Sequence, residues 1–248
     1  MPANWKAAQE AFMEAYHNFE THNAPNGANA QYDIFGKFVS RFIHNIGNYS
    51  PEALADYPGD KWRAPPLTEN EVLETLSIHG LAHDEVPPGE TARAVAAADL
   101  RKLLGEKWGV DLAAVSDSIM LDSIEYHLFP NMFFFPGITI PMVYRFRPNG
   151  DNHTTALMEV MVLCQLPTGA PRPADVPVRR LGENELFSEA PELGESLGSI
   201  FDQDLFNMPK IQKGMHNVKS RELVLANYHE VRIRHFHQTI DKYISGEL

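Results

Sequence analysis

The stretch IEYHLFPNMFFFPGITIPMVYRFRPNGDNHTTALMEVMVLCQLP, residues 124–167, decides the fold. Its runs are dense in β-branched and aromatic side chains and break at Pro136-Gly137 and at Pro148-Asn149-Gly150-Asp151, residue types that turn a chain. The pattern predicts three consecutive strands over 124–135, 138–147 and 154–166. Connections this short cannot join parallel neighbours, so the expected arrangement is an antiparallel meander. Pro141 has no N–H to give to a ladder and argues for an edge or a bulge in the second strand.

Outward from the meander, QYDIFGKFVSRFIHNIGNY (31–49) also reads as strand, and 50–66 and 167–190 read as proline-rich loops. The remaining periodicity is helical. A first helix is predicted over 3–17, with Asn4 as its cap and Trp5, Ala8, Phe12, Tyr16 and Phe19 on its apolar face. Others are predicted over 69–78, 91–108, 193–214 (with Pro209 kinking it or opening a second helix) and 220–244. The last has Ser220 as its cap and Ile233, Phe236, Ile240 and Ile244 as its buried stripe. Helices packed on one antiparallel sheet make an α+β fold.

The 248 residues carry 33 acidic and 21 basic side chains, a formal charge of −12, with the basic residues scattered. This pattern offers no footprint for nucleic acid or an anionic membrane surface. The opening MPANWKAAQEAF lacks the form of a signal peptide, and no stretch reaches the roughly 18 apolar residues of a spanning helix. A cytoplasmic protein is expected. The single cysteine, Cys164, excludes an internal disulfide, a zinc site built from several thiolates and a thiolate-held iron–sulfur cluster within this chain.

Eleven histidines mean that only spacing and partners can promote one of them. His17 and His22, in EAYHNFETH, are five apart, which on a continuous helix separates their side chains by about 140°. If the helix ends between them they can converge on a metal; otherwise they are a surface and a core histidine. His79 and His83 have the i, i+4 spacing of a helical metal pair, but Gly80 and nearby prolines argue against a helix there. His235 and His237 face different sides of a helix, and His127 lies within a strand. Cys164 and the run Phe133-Phe134-Phe135 read as core.

Three segments then carry a family resemblance. NWKAAQEAFMEAYHNFETH (4–22) resembles the segment that opens the iron site of Rieske-type aromatic ring-hydroxylating oxygenases, α subunit. FPNMFFFPG (129–137) looks like a strand lining that catalytic domain, and LGSIFDQDLFNMPKIQKGM (197–215) looks like the segment supplying its carboxylate ligand. The resemblance implies a helix-grip fold, an antiparallel sheet packed against a long C-terminal helix with an internal apolar cavity. It implies one mononuclear Fe(II) held by His17, His22 and Asp204, with Asp202 as the alternative; two residues apart on a helix, the two acids point about 200° from each other, so only one can serve. Glu14 matches an aspartate that orients an iron histidine and carries electrons toward it in relatives. Ala11 stands where relatives often carry asparagine.

The resemblance further implies an oxygenase acting with O2 on an aromatic or other hydrophobic substrate, as in aromatic hydrocarbon catabolism. Dihydroxylation, monohydroxylation and demethylation all remain open. Residues 1–248 read as one catalytic domain. The N-terminal Rieske domain of the family is absent from this chain, so electrons are expected from an external Rieske or ferredoxin donor, with assembly as a homotrimer or hetero-oligomer. The alternative is a ligand-binding helix-grip module that has lost its electron path.

Overall fold

The computed structural model describes residues 1–22, 30–45, 68–76, 81–138, 140–163 and 165–248. Six strands form one antiparallel sheet in chain order: β1 (Ala30–Phe35), β2 (Val39–His44), β3 (Ser123–Leu128), β4 (Met132–Phe134), β5 (Met142–Asn149) and β6 (Asn152–Val162). The meander is therefore present, but the strand predicted over 124–135 is two. The chain folds back at Phe129-Pro130-Asn131, where Asn131 Nδ2 donates to the Phe146 carbonyl at 2.6 Å and ties the turn to β5. Pro141 sits just before β5, where its missing N–H interrupts nothing, and β5 is an interior strand. The irregularity lies instead at Pro148/Asn149.

Between β2 and β3 stand α3 (Glu69–Leu76), α4 (Ala92–Trp108) and α5 (Asp117–Leu121). Thr91 caps α4 through the Ala94 N–H, and Gly109 ends it at φ +65°, a conformation that suits glycine. These helices bury Leu73, Leu76, Val95, Leu100 and Met120 in a small core of their own. The predicted loop 50–66, His79 and Cys164 lie outside the described residues.

The predicted first helix is shorter than its periodicity suggested. Asn4 does cap it, accepting from the Lys6 N–H at 3.0 Å, but α1 ends at Glu10 (Trp5–Glu10). Residues 11–17 turn away before a one-turn α2 (Asn18–Thr21). Tertiary bonds hold the departure: Arg232 donates to the Met13 carbonyl at 3.3 Å, and the Ala15 N–H donates to the Tyr32 hydroxyl at 3.0 Å.

Helix α6 (Glu195–Asn217) runs through Pro209 as one element. The last helix, α7, covers Val231–Ser245 and starts eleven residues later than the periodicity suggested. Ser220 caps nothing there; its hydroxyl accepts from the Glu222 N–H within a turn, beside Arg221 at φ +56°. The buried stripe of α7 is Arg232, Ile233, Phe236 and Thr239, while Ile244 is 78% exposed. A wholly buried arginine within an apolar stripe is what the pattern could not foresee.

The main core gathers Phe133, Tyr144, Phe146, Phe201, Met208 and Phe236 between the sheet, α1, α6 and α7. Its rings interlock: Phe12 packs against Tyr144, Phe146 and Phe201 with centroids 5.1–6.1 Å apart. Of the three consecutive phenylalanines, Phe133 is fully buried, whereas Phe134 stacks on Tyr126 at 5.4 Å, as strand alternation requires. The fold is thus α+β, a sheet gripping helices. No helix among the described residues is long and apolar enough to cross a membrane.

Candidate metal centre

His17 occupies the residue before α2 and His22 the residue after it, so the pair straddles a single helical turn. On a continuous helix they would diverge. Here their Nε2 atoms are 3.1 Å apart. Helix α6 brings in Asp204, whose Oδ1 lies 3.5 Å from His17 Nε2 and 3.4 Å from His22 Nε2. One donor atom from each of the three residues falls within 4.8 Å of the others, and this is the one such group among the described residues.

The outer nitrogen of each ring is already engaged. His17 Nδ1 faces Glu14 Oε1 at 2.5 Å; a carboxylate only accepts, so Nδ1 carries the proton. The other oxygen of Glu14 accepts from the backbone N–H groups of Tyr16 and His17, which fixes the carboxylate against the turn. His22 Nδ1 faces Gln203 Oε1 at 2.7 Å and donates to it. Both rings therefore direct Nε2 inward, toward each other and toward a carboxylate oxygen.

Three acceptor atoms this close repel one another unless a proton on one of the rings or a cation lies among them. Burial works against a charge on His17, yet the charge and hydrogen bond of Glu14, with Asp204 beyond, raise its pKa. The pocket draws positive charge. With the inner proton of His17 displaced, two imidazoles and one carboxylate, converging and with no further His, Cys, Asp or Glu donor in the group among the described residues, fit the donor set of a mononuclear Fe(II) site.

Asp202 does something else. Its carboxylate accepts from the N–H groups of Phe187 (2.7 Å) and Ser188 (3.2 Å) and caps a short 3-10 helix, Phe187–Glu189. Gly198 lies against the same segment so closely that a Cβ there would meet Ser188 backbone atoms at 2.5 and 2.7 Å. Three successive residues thus divide the work: Asp202 anchors α6, Gln203 reaches His22, and Asp204 completes the trio. One turn on, Asn207 donates to Thr21 Oγ1 at 2.9 Å and joins α6 to α2 again. Sequence reasoning passed over Gln203 and Asn207. The position of Gln203, between the two candidate acids, was the available signal.

The other histidines are elsewhere. His83 pairs with Asp99 at 2.9 Å, His237 with Glu10 at 2.7 Å, and His235 faces the Gly36 carbonyl. His127 is buried, and desolvation pushes its pKa down to about 3, so it is neutral. Beside the trio, an open groove between α2 and α6 is lined by Glu20, Thr21, Asp202, Gln203, Phe206 and Asn207, with Phe206 69% exposed.

Compared with known protein families, residues 1–246 match the family described as ring hydroxylating alpha subunit (catalytic domain). No curated protein and no solved structure matches the chain.

Proposed function

The chain belongs to the ring-hydroxylating alpha-subunit catalytic domains, and from that premise we propose that it holds one Fe(II) on His17, His22 and Asp204 and uses O2 to hydroxylate an aromatic or similarly hydrophobic substrate. The observation that carries this reading is the convergence of two Nε2 atoms and one carboxylate oxygen, with each ring's other nitrogen held from outside. Bound there, Fe(II) supplies the one-electron and O2 chemistry that no side chain can provide.

The chain's own residues prepare the place. His17 and His22 offer neutral nitrogens, and Asp204, 4% exposed at its side chain, offsets part of the metal's charge. Glu14 keeps the proton of His17 on Nδ1, raises the ring's basicity and stands at the position that relatives use to pass electrons toward this histidine. The electron donor is a Rieske centre outside these 248 residues, whose single cysteine cannot furnish the ligands of such a cluster.

The test is an anaerobic Fe(II) titration of the purified protein beside His17→Ala, His22→Ala and Asp204→Ala. One site per chain, lost in each variant, supports the proposal. Failure of the parent protein to bind Fe(II), or binding indifferent to all three changes, overturns it and leaves a ligand-binding module of the same fold.

A further inference from the structure

We infer that Gln203 is a positioning residue of the metal centre, which selects the tautomer of His22 and thereby which of its nitrogens faces the metal. The inference rests on the iron reading above and adds to it a residue that neither touches the metal nor carries a charge.

The geometry is specific. A histidine ring held only by its backbone can turn either nitrogen inward, and a neutral imidazole in water favours the proton on Nε2. That form is useless here, because it would aim an N–H at the metal. Gln203 Oε1, 2.7 Å from His22 Nδ1, stabilises the opposite tautomer, and the lone pair of Nε2 then points at His17 and Asp204. Glu14 performs the same selection on His17 with a full charge. The two rings are therefore oriented by unlike groups, a carboxylate from their own turn and an amide from α6. Because Gln203 neighbours Asp204 in sequence, any shift of α6 moves a ligand and the partner of another ligand together. The Asn207–Thr21 bond one turn later keeps α2 in register for this contact.

Gln203 is exposed, so its replacement leaves the core intact. The experiment compares the parent protein with Gln203→Leu, which keeps bulk and removes the acceptor, and Gln203→Glu, which keeps an acceptor. Nitrogen-15 NMR of labelled histidine in the metal-free proteins reads the tautomer of His22, with His22→Ala used to assign it. Anaerobic Fe(II) titration reads affinity, and thermal unfolding reads stability. Gln203→Leu is expected to shift His22 toward the Nε2–H form and weaken Fe(II) binding by about 10–100-fold at unchanged stability. Gln203→Glu is expected to retain the parent tautomer and most of the affinity. An unchanged tautomer in Gln203→Leu, or failure of Gln203→Glu to restore it, overturns the inference. Should the parent protein bind no Fe(II), the iron reading falls, while the tautomer measured in metal-free protein still decides the role of Gln203.

Discussion

Two charged clusters in this fold share the turn that follows α1 and are built on opposite plans. Arg232 is wholly buried and donates to Ser40 Oγ at 3.0 Å, Glu125 Oε1 at 2.8 Å and the Met13 carbonyl at 3.3 Å, and Tyr144 donates to Glu125 at 2.5 Å. Donor meets acceptor throughout. In the trio, two imidazole nitrogens and a carboxylate oxygen stand 3.1–3.5 Å apart, and donor meets acceptor only where His17 takes up a second proton on Nε2. The first arrangement is complete by itself and fixes how α7 sits on the sheet. The second is left to be completed by a proton or a cation. A saturated polar cluster can register a fold, whereas one left short of a donor is open to a ligand.

The titration behaviour separates them in the same way. Burial raises the pKa of Glu125 despite the opposing pull of Arg232 and the hydrogen bond from Tyr144. Burial, with the Glu125 charge, also pushes Tyr144 well above the usual tyrosine range, so the phenol keeps its proton. At the trio, His17 shifts toward its charged form instead.

The contrast breaks most visibly at Arg232. Arg232→Met strands a buried carboxylate and should cost about 3–5 kcal/mol in urea unfolding. Adding Glu125→Leu and Tyr144→Phe should recover most of that loss. An unchanged midpoint in the single variant would mean that the cluster does not fix the fold. Asp204→Asn is the counterpart: Fe(II) affinity should fall by at least about 100-fold, with stability unchanged or raised, since the change relieves a site arranged for binding.

Gly198→Ala sharpens the comparison by joining its halves. The new methyl group would overlap the Ser188 backbone, and moving α6 to relieve it should cost about 1–3 kcal/mol. Because α6 carries both Asp204 and Gln203, metal affinity should fall in the same variant. The smallest effect is expected at His237, whose bond to Glu10 raises its pKa above 6.5 and joins α7 to α1. A histidine that holds its proton more tightly when folded stabilises fully below the unfolded value and loses that contribution as pH rises through the folded one. Denaturant midpoints of the parent and His237→Ala should therefore differ at pH values below about 6 and converge above the raised folded pKa, with metal affinity unaffected.

The strands were legible because alternation and turn residues are local signals. Residues 31–49 read as strand and hold most of β1 and all of β2, whereas Phe133, Phe134 and Phe135 all read as core and the pleat turns Phe134 away to stack on Tyr126. The α1 boundary was not legible. An apolar stripe continues past Glu10, and the break at Ala11 answers to Arg232 and Tyr32, which are far along the chain or in another element. The start of α7 was missed for a related reason: its buried face includes Arg232, and hydrophobic periodicity does not see an arginine whose partners are Ser40 and Glu125.

At the candidate site the division is equally physical. The sequence by itself determined the fold class, the antiparallel order of the meander and the supply of two histidines and two acids in segments resembling an oxygenase iron site. It also determined that only one of Asp202 and Asp204 could serve, because helical geometry turns them apart. The resemblance put Asp204 first with Asp202 as the alternative, and the tertiary structure brings Asp204 beside the two histidines. The 3-10 helix at Phe187 claims Asp202 and leaves Asp204 to face His17 and His22 across some 180 positions of chain. Tertiary structure alone also set the tautomers, through Glu14 and Gln203. Local patterns encode which face of an element is apolar. Which side chains meet depends on how helices dock and strands register over long separations, and no window of sequence holds that information.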